Sequence, residues 1–340
     1  MELARAIDEH IAAYDSADVE RAVFDTEDAE AVASALAAFV RAELDAAIDD
    51  CVFYRSSVGA VAGLALDDGR RVVVKVHQSH VRAERLEAVQ AVMKTLAAAA
   101  FPCPLPLLGP RELARGRATV EALVDRGVVR DGHEPPVRRE LARRLAELVA
   151  TLEPRPEHAP LGPSWFSGLP RDRLWPRPHS PLYDFDATRA GAEPIDALAS
   201  SARRAPRHGD EVIAHFDWRS EHARFDGDRI VVAYDWDSLH VDLEPVAIGA
   251  AAHAFCTDWE TEIAPAAPSI DEVHAFVAEY EDARGRRFED GERRTLAGSL
   301  VYSLAYTARC THALGARATD RARAFRELLE REGPRLLSAP

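Results

Sequence analysis

The chain has 340 residues, 47% hydrophobic and 29% charged, with a formal net charge of -15. That length predicts one large or two ordinary domains, and the composition is that of a globular protein. An acidic surface repels phosphates, which argues against a nucleic-acid partner. The N-terminus turns acidic at once, and no apolar run approaches the roughly 20 residues that span a bilayer, so a cytoplasmic protein without a membrane segment is expected.

The four cysteines, Cys51, Cys103, Cys256 and Cys310, form no C-x-x-C pair and read as buried, reduced thiols. Residues 1–48 read as helices. Leu3, Ile7, Ile11 and Tyr14 recur at helical spacing, and a second stripe holds Val32, Leu36, Phe39 and Val40. The period then changes to that of strands at Cys51–Tyr54, Gly59–Leu66 and Arg71–His77, with Asp68-Gly69 as a hairpin turn. A helix with Leu86, Val89, Met93 and Leu96 on one face follows, and the proline-rich run from Phe101 ends it. Ala118–Val124 reads as a strand, closed by a break at Arg126-Gly127.

Beyond that break the pattern is mainly helical. Leu141, Leu145, Leu148 and Leu152 mark one helix, and residues 154–187 form an ordered, irregular excursion. Ala223–Phe225 and Ile230–Tyr234 are short strands around an Asp226-Gly227 turn, and helical patterns run to the end. The expected organisation is an N-terminal helical extension (1–48), a small β-rich lobe (49–125) and a larger helical lobe (126–340).

Only two lysines occur. Lys94 sits in a helical pattern, whereas Lys75 lies among valines in a strand. A buried unpaired ammonium costs several kcal/mol, so a carboxylate or a ligand phosphate is expected beside it. The following helix offers Glu84 and Glu87, with Glu87 preferred because the helix needs room to begin after His80. A strand with one wet face is the plainer alternative. The preceding loop, with Ser57 and Gly59, can bring backbone N–H groups over phosphates, although alone it reads as a β-turn.

The strongest signal is His215-Phe-Asp217-Trp-Arg219-Ser-Glu-His222, followed by the short hairpin and Asp235-Trp-Asp237. Such a hairpin returns the chain so that Asp217 and Asp235 meet. Phosphoryl transfer needs one carboxylate at the acceptor hydroxyl and others on a metal ion bridging the phosphates.

This stretch resembles the H-x-D-x-x-x-x-N loop and following D-x-[DE] of the aminoglycoside phosphotransferase family, a branch of the kinase-like superfamily. The resemblance covers roughly residues 50–255. It implies an α+β, two-lobed protein-kinase-like fold and an ATP-dependent transfer to a hydroxyl of a small molecule, such as an antibiotic, amino alcohol or sugar-like acceptor. By resemblance Asp217 is the catalytic base or hydroxyl-orienting residue, with Arg219 of the same loop beside it in catalysis. Asp235 is the ligand of Mg²⁺, and Lys75, paired to Glu87, contacts the α/β-phosphates. By resemblance Glu121 and Leu123 also offer backbone groups to adenine, whereas the loop with Ser57 and Gly59 matches no full glycine-rich fingerprint.

His222 stands where the family has a metal-binding asparagine. It either holds an ion, which favours Mn²⁺, or hydrogen-bonds Asp217 or a phosphate. Phe216 and Trp218 also depart from the family pattern. His208-Gly-Asp210 spells the family's commoner tripeptide but leads to no hairpin with a second aspartate. The acidic balance, with Asp184 and Asp186 in the excursion, suggests a cationic acceptor. The competing reading is a catalytically degenerate, kinase-like nucleotide-binding or regulatory protein.

Overall fold

The computed structural model describes residues 2–14, 16–180, 182–259 and 265–338. Two compact units divide the chain: Met1–Ala97 with Pro104–Asp125 and His179–Leu182, and Ala98–Cys103 with Arg126–Pro178 and Tyr183–Pro340.

The first unit runs α1 (Leu3–Tyr14), α2 (Asp18–Phe24), α3 (Ala29–Leu44), β1 (Ile48–Ser56), β2 (Ala60–Leu66), β3 (Arg71–His77), α4 (Ala83–Ala98), β4 (Pro106–Leu113) and β5 (Gly116–Ala122). The strands form one antiparallel sheet in the order β1-β2-β3-β5-β4. Asp28 starts α3 by accepting the Glu30 N–H, and Asp45, in the left-handed region at φ 51°, stops it.

Alternation decides the two faces of β3. Val72, Val74 and Val76 point one way and join Ala62, Leu64 and Val120 in a core with Ile7, Val32, Leu36 and Val40. The helices expected as an extension therefore cover one face of the sheet and share its core. Each fully buried aliphatic side chain there contributes about 1.5–3 kcal/mol. The other face of β3 carries Lys75 and His77, paired in register with Thr119 and Arg117 of β5.

Strand β4 falls where the sequence showed only a proline-rich helix end. It lies at the sheet edge and begins at Pro106, where a missing N–H breaks no inner ladder. Gln90 of α4 donates to the Leu108 carbonyl at 2.7 Å.

The second unit runs α5 (Pro135–Thr151), a one-turn α6 (Trp165–Gly168), α7 (Glu193–Arg203), β6 (Glu211–His215), β7 (Ala223–Asp226), β8 (Arg229–Ala233), β9 (Leu239–Leu243), α8 (Glu244–Ala252), α9 (Ile270–Arg284), α10 (Asp290–Leu314) and α11 (Asp320–Ser338). β6 pairs with β9, and β7 with β8. Specific bonds order the excursion before α7. Asp242 of β9 accepts from the Ser164 N–H at 3.1 Å and the Ser167 hydroxyl at 2.7 Å. Arg309, buried on α10, donates to the Thr188 hydroxyl at 3.1 Å and to the Phe185 carbonyl, and stacks 4.5 Å over the Phe185 ring. All four cysteines are free. Among the described residues no helix is long and apolar enough to cross a membrane.

Candidate active site

The site grows from the end of β6. His215 is fully buried, and its two ring nitrogens tie the loop together. Nδ1 accepts the Asp217 N–H at 3.2 Å, so Nε2 carries the proton and donates to the Tyr234 carbonyl at 3.0 Å. One side chain thus fixes the backbone of Asp217 and that of the residue before Asp235. Burial holds the His215 imidazole down at about 4, with His222 adding to the shift, which keeps it neutral and able to play both parts. The Tyr234 N–H donates to the His222 carbonyl at 2.8 Å, closing the hairpin. Trp218 anchors the loop to α5 through the Leu141 carbonyl at 2.9 Å, and Trp236 anchors the second aspartate through the Ala233 carbonyl at 2.8 Å.

Asp235 adopts φ 64° and ψ 43° two residues beyond the end of β8. Aspartate tolerates this left-handed conformation better than a branched residue would, and it turns the chain sharply at the carboxylate. Ligand atoms of Asp217, His222 and Asp235 all lie within 4.8 Å of one another. Two carboxylates supply the hard oxygens that Mg²⁺ and Mn²⁺ prefer, so the donor set fits such an ion.

Charge is concentrated on Asp217 and Arg219. The guanidinium Nη1 is 3.1 Å from Asp217 Oδ1, Nε is 2.9 Å from Glu221 Oε2, and Nη2 donates to His222 Nε2 at 3.1 Å. Burial pushes the Asp217 carboxyl up, but Arg219 and then His222 outweigh it and hold the group at about 2. Burial likewise lowers the Arg219 pKa, and Asp217 and Glu221 more than reverse this. His253, held down at about 4 by burial, and Tyr183, pushed up to about 12 by burial, feel the charge of this loop.

In the first unit Lys75 is buried, with Nζ 3.9 Å from Glu121 Oε1. Glu121 on the neighbouring strand thus sets a carboxylate beside it. The expected partner, Glu87, is exposed on α4, as is Glu84. The reason is register: Val73 faces Glu121 and Lys75 faces Thr119, so Glu121 shares the lysine's face one pair along. Leu123, expected to offer backbone groups to adenine, already gives its N–H to the Arg71 carbonyl at 3.0 Å. Ser57 lies in the β1–β2 turn and donates its N–H to the Gly59 carbonyl at 3.2 Å. A Cβ on Gly59 would come within 2.4 Å of the Val76 carbonyl oxygen, so the turn presses on β3 as only glycine permits.

Two further expectations meet local explanations. Asp184 uses its carboxylate on the N–H groups of Asp186 and Ala187, at 3.1 and 2.9 Å, and so caps a turn. His208 and Asp210 precede β6, and the Asp210 carbonyl accepts the Glu244 N–H at 2.8 Å. Glu221 escaped sequence reasoning, and His253 reads from the sequence as structural. Glu221 stood two places from Arg219 and was legible in principle, whereas His253 is brought close only by the packing of α8.

Residues 63–294 match the phosphotransferase enzyme family. No curated protein is significantly similar in sequence. Among solved structures, an amicoumacin kinase in complex with AMP-PNP, Ca²⁺ and Ami is 11% identical, with a TM-score of 0.56 over 87% of this chain and 88% of that one. A spectinomycin phosphotransferase in complex with ADP and spectinomycin is 12% identical, with a TM-score of 0.56 over 90% of this chain and 97% of that one. An ethanolamine kinase from Plasmodium vivax is 14% identical, with a TM-score of 0.53 over 96% of this chain and 92% of that one. Matched over more than half its length and sharing the kinase-like fold of these structures, the chain belongs to the aminoglycoside phosphotransferase family of phosphotransferase enzymes.

Proposed function

We propose that this protein is an ATP-dependent kinase that transfers the γ-phosphate to a hydroxyl of a small molecule. The observation that carries the reading is the His215-anchored hairpin, which sets the Asp217 and Asp235 carboxylates side by side with the Arg219 guanidinium against the first of them. In this reading Asp217 orients the acceptor hydroxyl and takes up its proton. Arg219 places a permanent positive charge where negative charge develops on the transferred group. Asp235 would hold Mg²⁺ or Mn²⁺, which when bound neutralises phosphate charge. Lys75 would exchange its loose Glu121 contact for the α/β-phosphates, and the turn at Ser57 and Gly59 would cover them.

Relatives of the same fold bear AMP-PNP or ADP, which supports a nucleotide donor. A second reading, nucleotide binding without transfer, draws on the Asp217–Arg219 ion pair, because that pair engages the carboxylate needed as a base. A panel of hydroxylated metabolites and antibiotics separates the two. Acceptor-dependent ADP release supports the kinase. Thermal stabilisation by ATP with no ADP release from any compound supports the second reading.

A further inference from the structure

We propose that His222 is a positioning residue for Arg219 and not a metal ligand; this deepens the phosphotransfer reading and rests on it. The two partners of the ring decide where its proton sits. Nδ1 lies 2.9 Å from the Asp217 carbonyl oxygen, which can only accept, so Nδ1 carries hydrogen. Nε2 lies 3.1 Å from Arg219 Nη2, which can only donate, so Nε2 offers its lone pair. Both partners have a single possible role, and together they fix one neutral tautomer.

That tautomer has one lone pair, and a guanidinium faces it. A metal ion bound there would sit roughly 2.0–2.3 Å from the nitrogen and share the lone pair with a second cation. Carboxylate oxygens stand in the same cluster, within 4.8 Å, and suit a hard ion better. The ion therefore belongs to the carboxylates, and the ring belongs to Arg219.

The ring also completes the hold on the guanidinium. Asp217 lies 3.1 Å from Nη1 and Glu221 lies 2.9 Å from Nε as ion contacts, the second without hydrogen-bond alignment, whereas His222 accepts a directed bond from Nη2. Arg219 is held at the base in one orientation. The Nδ1 bond to the Asp217 carbonyl references that orientation to the backbone of the base itself.

Glutamine and asparagine discriminate between the two roles. Glutamine can reach Arg219 with its amide oxygen. Asparagine is too short for that contact but supplies the oxygen that binds metal elsewhere in the family. The first measurement uses nucleotide-free protein with ¹⁵N-labelled histidine. The ring of His222 should show a protonated Nδ1 and an accepting Nε2, and Arg219→Gln should shift the Nε2 resonance. An Nε2-protonated ring overturns the proposal whether or not ATP binds.

The second uses the Mn²⁺–ATP complex. Electron spin-echo modulation from a directly bound imidazole nitrogen should be absent, and Mn²⁺ affinity should change less than about twofold in His222→Ala. A bound imidazole signal that His222→Asn removes overturns the proposal. If wild-type protein binds no Mn²⁺–ATP at all, the phosphotransfer reading falls instead. The third is ADP release with water as acceptor. His222→Ala should slow it at least tenfold, His222→Gln should recover most of the rate and His222→Asn should not. Arg219→Gln with His222→Ala should be no slower than Arg219→Gln alone. Additive losses, or recovery by asparagine and not by glutamine, overturn the proposal.

Discussion

A lysine on a valine strand is costly unless an anion meets it, and that cost made Lys75 conspicuous in the sequence. Its partner was not legible there. A nearby helix glutamate looked available, but cross-strand register brings in Glu121, and register depends on turns and bulges that the sequence only outlines. Asp217 and Asp235 were legible because a short hairpin must return to its start, and the structure places their ligand atoms together. Lys75→Met should leave the far-UV circular dichroism unchanged and abolish the thermal shift produced by ATP. It also leaves Glu121 buried without its ammonium, so the melting temperature should drop, and Glu121→Gln in the same chain should recover part of the loss. A Lys75→Met protein still stabilised by ATP would remove this residue from the nucleotide site.

Among the elements, α1 to α3 read clearly as helices from their apolar spacing, but their role did not. Periodicity says that a face is buried and not what buries it. The structure shows that face against β1, β2 and β3, with Ile7, Val32, Leu36 and Val40 fully buried. Leu36→Ala should therefore cost about 2–5 kcal/mol in urea unfolding. A chain beginning after α3 should fail to give a cooperative transition. A truncated protein with an unchanged midpoint would show that the helices are an accessory. β4 and β9 were missed for different reasons: β4 is a proline-bearing edge strand, and β9 spans only five residues and pairs with a distant partner. Gly59→Ala should distort the β1–β2 turn, because the added methyl meets the backbone of β3 and no flexible side chain can yield. The expected result is weaker ATP binding together with a lower melting temperature.

At the scale of the whole molecule, buried neutral histidines set an acid limit. Burial holds His253 at about 4, well under its ordinary value near 6.5. Between those values the unfolded chain binds the proton and the folded chain does not. Stability is therefore full above about pH 6.5 and falls as pH drops towards 4. Melting temperature measured against pH should show this slope, and His253→Gln should reduce it, leaving the share of His215, which burial also holds at about 4. An unchanged slope would show that His253 contributes nothing to it.

The central claim is a division of labour on one hairpin, with Asp217 acting on the acceptor and Asp235 on the metal-bound nucleotide. It is tested most directly by measuring Mg²⁺–ATP affinity and single-turnover phosphate transfer in Asp217→Asn and Asp235→Asn side by side. Asp217→Asn should bind nucleotide within a few-fold of wild type and transfer phosphate about 10²–10⁴ times more slowly. Asp235→Asn should lose metal-dependent nucleotide affinity. Equal loss of affinity in both variants, or near-normal transfer by Asp217→Asn, would contradict the account.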